Sequence, residues 1–134
     1  MLKILLIDDN QEKRRVVTKV ALQTDGLQYE SFDFASDVMS AKRAISNTRY
    51  DLVILDINLP SRADEAVEVG AGIKVLQFIK KNSKAHPPAY LFGLTAYDDG
   101  AEAAGREFSS PLWKLIRFSF NDDSWHIPVS YTHL

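Results

Sequence analysis

Short apolar runs alternate with longer stretches of helical periodicity along this chain, the pattern that a parallel sheet with crossover helices requires. Leu2 to Ile7 is apolar apart from Lys3, and Leu52 to Leu55 is an unbroken apolar run; both read as strands buried on two faces. Residues 28 to 34, with Tyr29, Phe32 and Phe34, read as a shorter second strand. Ala89 to Leu94 reads as a fourth strand that delivers Thr95 at its end, and Trp113 to Phe120 as a fifth. Helical stripes fill the intervals. Asn10 is placed to cap the first, which carries Val16, Val17, Val20 and Ala21 until Asp25-Gly26 breaks it. Ser36 can cap a second, with Val38, Met39, Ala41, Ala44 and Ile45, and a third starts near Gly72 with Ile73, Val75, Leu76, Phe78 and Ile79. A short alanine-rich helix is expected over roughly residues 98 to 107. The expected class is α/β, a doubly wound sheet of five parallel strands.

A chain of 134 residues with 46% hydrophobic content forms one domain with a single sizeable core. A net charge of -2 provides neither a broad basic surface for nucleic acid nor a polybasic run for a membrane, so a soluble protein partner is expected. The absence of cysteine excludes disulfides, thiolate chemistry and a cysteine-based zinc site, and fits a reducing, cytoplasmic setting. The N-terminal apolar run stops at Asp8, too short for a secretion signal or a membrane span.

In an open α/β sheet, ligands bind outside the carboxyl ends of the strands, beside the point where strand order reverses. Asp8 and Asp9 follow strand one, Asp56 follows strand three and Thr95 follows strand four, so these residues converge on one rim. Three carboxylates in one small space repel each other, and a hard divalent cation with oxygen ligands relieves this most simply. Magnesium fits best, because two carboxylates, a backbone carbonyl, waters and a phosphoryl oxygen complete its octahedron. With the cation bound, Asp56 can act as a carboxylate nucleophile on a phosphoryl donor. The Thr95 hydroxyl can then donate to a phosphoryl oxygen and draw the following loop toward the site.

Three segments resemble motifs of the response-regulator receiver family: Lys3-Ile4-Leu5-Leu6-Ile7-Asp8-Asp9, Asp51 to Pro60 with Asp56-Ile57-Asn58-Leu59-Pro60 at its end, and Leu94-Thr95-Ala96. The resemblance spans approximately residues 2 to 125 in the family's order and implies a flavodoxin-like fold with strand order 2-1-3-4-5. It also implies residue roles: Asp56 as phosphoacceptor, Asp9 as direct magnesium ligand, Asp8 acting through water, Asn58 offering its backbone carbonyl, and Thr95 as switch hydroxyl. Expected donors are a histidine kinase or a phosphotransfer protein. Enzymatic character is expected to be self-directed only, limited to autophosphorylation and autodephosphorylation.

The chain departs from the family at strand five, whose end carries a lysine in the family. Ser119, Phe120 and Asn121 are expected there instead, with Lys114 and Arg117 in or at the start of the strand, Lys114 about 15 Å or more from the rim. The connection from Ser61 to Val69, with Arg62, Asp64, Glu65 and Glu68, is longer than usual and borders the site, as either a functional loop or a solvated insertion. A helix begun at Trp125 is stopped by Pro128, so the last helix is expected to be truncated. The domain is placed at residues 1–127, with 128–134 as a tail of non-native appearance; the sheet face left uncovered favours a homo-oligomer.

Ordinary structural roles compete with each of these assignments. Asp8-Asp9 can serve as a polar strand exit, Asp56 as a turn residue and Thr95 as a helix cap. Trp113, Phe118 and Phe120 read as packing, and His86, His126 and His133 share no metal-ligand spacing. Two other functions are consistent with the chain. One is a receiver-like interaction module that does not use phosphate. The other is a magnesium-dependent phosphohydrolase, which lacks support because Asn58 stands where a second carboxylate would serve as general acid.

Overall fold

The computed structural model describes residues 2–23, 27–95 and 113–117, the side chains of Thr95 and of 113–117 excepted. The expected helix at 98–107, the expected last helix and the tail from Pro128 lie outside the described residues. The elements in chain order are β1 (Ile4–Ile7), α1 (Gln11–Ala21), a 3-10 turn (Tyr29–Ser31), β2 (Phe32–Ala35), α2 (Val38–Asn47), β3 (Leu52–Asp56), β4 (Leu59–Pro60), β5 (Val67–Glu68), α3 (Gly72–Lys81), β6 (Tyr90–Thr95) and β7 (Trp113–Arg117).

Five of the strands form one parallel sheet in the order β2-β1-β3-β6-β7, which is the expected 2-1-3-4-5 arrangement once the short pair β4-β5 is set aside. Alternation along the central strands sends side chains to two cores. Ile4, Leu6, Leu52 and Ile54 pack with Val17, Val20 and Ala21 of α1, while Leu5, Ile7, Val53 and Leu55 pack with α2 and α3. Each buried Val, Leu or Ile side chain among these contributes roughly 1.5–3 kcal/mol of transfer free energy. The two-sided burial accounts for the continuous apolar runs.

Caps set where the helices start. Asn10 accepts from the Lys13 amide at 3.0 Å, as expected. The second cap is Asp37 rather than Ser36: Asp37 is buried and accepts from both the amide and the hydroxyl of Ser40, at 2.7 and 2.9 Å, and Ser36 only donates to it. Strand two is also shifted. Tyr29 lies in the 3-10 turn and the strand begins at Phe32, because only from there does the chain pair with Ile4–Ile7. The long connection after β3 is partly ordered as an antiparallel ribbon, Leu59 opposite Glu68 and Pro60 opposite Val67.

Strand five is described from Trp113 to Arg117. The structure pairs Lys114 with Phe92 and Arg117 with Thr95, so Arg117 is the residue level with the carboxyl end of β6. Lys114 stands three positions short of that level, about 10 Å along the strand. Residues 118–121 lie outside the described residues.

Candidate functional site

Register brings the acids together. Because Ile7 pairs with Leu55, the next residue of each strand, Asp8 and Asp56, stands at the same level at the carboxyl ends of β1 and β3. These neighbours flank the reversal of strand order, since the chain passes from β1 outward to β2 and then returns to β3 on the other side. Asp8 continues the facing of Ile4 and Leu6, and Asp56 that of Leu52 and Ile54, so both carboxylates are directed toward the α1 side of the sheet. Asp9 joins them: one ligand oxygen from each of Asp8, Asp9 and Asp56 lies within 4.8 Å of the others.

Two of the acids are held by backbone groups. Asp8 Oδ1 accepts from the Asn10 amide at 2.9 Å, and Asp56 Oδ1 accepts from the Asn58 amide at 3.0 Å. Asn58 is itself buried, and its Oδ1 accepts from the Gly70 amide at 2.8 Å, tying the site to the end of the β4-β5 ribbon. Gly70 has φ 78, a left-handed conformation suited to glycine, and the chain then enters α3.

The sequence reasoning missed one residue, Lys13. Its ammonium lies 3.2 Å from Asp8 and 3.5 Å from Asp56, with the side chain 6% exposed. A signal was available. Lys13, Val17 and Val20 follow a spacing of four and then three, so the lysine occupies the inward stripe of α1 that was read only from its apolar members.

Burial and charge oppose each other here. Burial pushes the Asp56 carboxyl up, Lys13 pulls it down, and Asp8 and, more weakly, Asp9 push it up again; the net position is about 7. Desolvation therefore outweighs the lysine. Asp9 is also raised, by burial first and then by Asp8. A cluster of hard oxygen donors with a surplus of negative charge is a fitting donor set for Mg²⁺. Asp8, Asp9 and Asp56 are thus brought together as expected, Asn58 is adjacent, and Thr95 ends β6 one position beyond Leu94, the partner of Asp56. A groove of about 560 Å³, lined by none of the three acids, runs between α1 and the exposed rings of Tyr29 and Phe34.

A doubly wound parallel sheet with an acidic pocket at its switch point defines the class. Comparison with known proteins places the chain within it: the response regulator receiver domain family matches residues 4–112, and the chain belongs to that family. The transcriptional regulatory protein LytR of Staphylococcus aureus is 30% identical over 103 residues, 77% of this chain and 37% of that protein. The uncharacterized protein y4jS of Sinorhizobium fredii is 27% identical over 127 residues, 94% of this chain and 30% of that protein. The chain therefore spans about a third of the length of these curated relatives. Among solved structures, the response regulator TrrA of Thermotoga maritima, in complex with Mg(2+)-BeF, superposes with a TM-score of 0.62 at 28% identity, covering 96% of each chain. Among the described residues no helix is long and apolar enough to cross a membrane.

Proposed function

We propose that residues 1–127 form a phosphorylation-dependent switch of a two-component relay, working in the cytoplasm, with Asp56 as its phosphoacceptor. The observation that carries this reading is the meeting of Asp8, Asp9 and Asp56 within 4.8 Å at two adjacent strand ends. Asp56, Asp9 and the Asn58 carbonyl would hold Mg²⁺, with Asp8 acting through water. When bound, the ion supplies the positive charge that a transferring phosphoryl group requires.

The reaction proper falls to Asp56. One carboxylate oxygen attacks the phosphorus of a phosphohistidine on a histidine kinase or phosphotransfer protein. The new O–P bond forms as the P–N bond breaks, and the imidazole leaves with the electron pair. The Asn58 amide, donating to Oδ1, orients the carboxylate, whose Oδ2 faces the Lys13 ammonium at 3.5 Å. Thr95, at the end of the neighbouring strand, would donate its hydroxyl to the phosphoryl group and convert the added charge into a loop movement at the binding surface.

A receiver-like module that ignores phosphate is the second reading, favoured by the lysine already paired with the acids. Incubation with acetyl phosphate and Mg²⁺, followed by intact-mass measurement, separates the two. Gain of one phosphoryl group, absent in Asp56→Asn, supports the switch; an unchanged mass in the wild type supports the silent module. Turnover of unrelated phosphate esters would instead indicate a phosphohydrolase.

A further inference from the structure

The proposed function leaves the Lys13 ammonium unused, although it sits among the oxygens that the function assigns to a divalent ion. The position is built rather than incidental. The Lys13 amide is bonded to the Asn10 cap at 3.0 Å, the residue lies on the inward face of α1 with Val17 and Val20, and its side chain is 6% exposed. Lysines usually extend their stems to carry the charge out to water. This one delivers its charge to Asp8 at 3.2 Å and Asp56 at 3.5 Å.

A divalent ion in this pocket draws on the same carboxylates, with Mg²⁺ requiring oxygens at about 2.1 Å. An ammonium in contact with those oxygens would face the incoming ion across a few ångströms in a setting that screens charge poorly. Both cations cannot keep their best positions. Metal entry requires the lysine to withdraw, and metal loss allows it to return.

We propose that Lys13 is a built-in competitor for the divalent cation, so that the pocket exchanges a lysine-filled state for a metal-filled one and Lys13 sets the metal affinity. The proposal rests on the reading of the pocket as a metal site, but not on whether Asp56 is phosphorylated.

Titration of the whole chain with Mn²⁺, followed by the electron paramagnetic resonance signal of the free ion and without any phosphoryl donor, tests it. Lys13→Met should bind Mn²⁺ about tenfold or more tightly than the wild type, as expected for removal of a like charge at this range. Lys13→Arg, which keeps the charge, should stay near the wild type. Circular dichroism establishes that each variant is folded, and Lys13→Gln replaces Lys13→Met if that variant is not. Equal or weaker binding by the neutral variant overturns the proposal and leaves the metal reading standing. Absence of binding in every protein ends both. Tighter binding by the neutral variant without an Asp56 adduct in the mass experiment sustains this proposal and ends only the phosphoryl-transfer reading.

Discussion

The Gly72 amide donates to the Ile57 carbonyl at 2.8 Å, so α3 begins directly against the backbone that follows Asp56. A Cβ on Gly72 would lie 2.5 Å from the Asp56 carbonyl oxygen, 2.8 Å from Ile57 Cα and 2.9 Å from the Ile57 oxygen, all main-chain atoms that cannot swing aside. Gly72→Ala is therefore expected to cost about 1–3 kcal/mol, the usual range for overpacking. It should also displace Asp56 from Asp8 and Asp9. Urea denaturation reads the first effect and Mn²⁺ affinity the second; a variant unchanged in both would contradict the close approach.

In chelator-treated protein, the elevated Asp56 carboxyl makes stability depend on pH. The folded state keeps a proton up to about pH 7 that the unfolded chain releases near 3.8. Stability from this group is thus complete below pH 4 and declines as pH rises toward 7, by as much as about 4 kcal/mol. Asp56→Asn should be more stable than the wild type at pH 8, and the gain should fade as pH falls toward 5. Denaturation at several pH values checks the sign, and an advantage that grew on acidification would refute the assignment.

Asn58 joins the site to the ribbon through Gly70. Its Nδ2 is buried without a partner among the described residues, so Asn58→Ala removes a poorly satisfied donor along with a good acceptor. The net cost is expected to be about 1 kcal/mol. Faster hydrogen exchange at the Gly70 amide should accompany it; exchange as slow as in the wild type would show that the tie is unimportant.

Tyr50 donates its hydroxyl to Asp33 at 2.6 Å, linking the approach to β3 with the edge strand β2. Burial and then the Asp33 carboxylate push the phenol up to about 12. Tyr50→Phe should lose about 1–2 kcal/mol of stability, since the bond is to a charged group. Ultraviolet titration should show a late-ionising tyrosine in the wild type that is lost in the variant.

How much of this could be read beforehand follows from the range of each interaction. Leu52 to Leu55 announces a buried strand because burial on both faces leaves no polar position, and Asp56 at its end then has only one rim to occupy. Lys13 escapes a stripe drawn through apolar residues alone, although a charged residue on the inward face of α1 is itself informative. Ser36 and Asp37 are equally good caps locally, and burial against the fold decides for Asp37. The level of Arg117 depends on pairing with β6, which no local pattern in Trp113 to Phe120 specifies. The two-residue strands β4 and β5 are too short to carry a period at all.

Asp8, Asn10 and Lys13 close a small circuit: Asp8 accepts from the Asn10 amide, Asn10 accepts from the Lys13 amide, and the Lys13 ammonium returns to Asp8. Its closure depends on the number of residues between the strand exit and the lysine, as a ruler depends on its divisions. Adding or removing one residue there would turn the side chain about 100° around the helix axis and carry the ammonium away from the acids. Length in this short stretch is therefore constrained as strictly as side-chain identity, and a relative with one residue more or fewer there would need to draw its positive charge from another element.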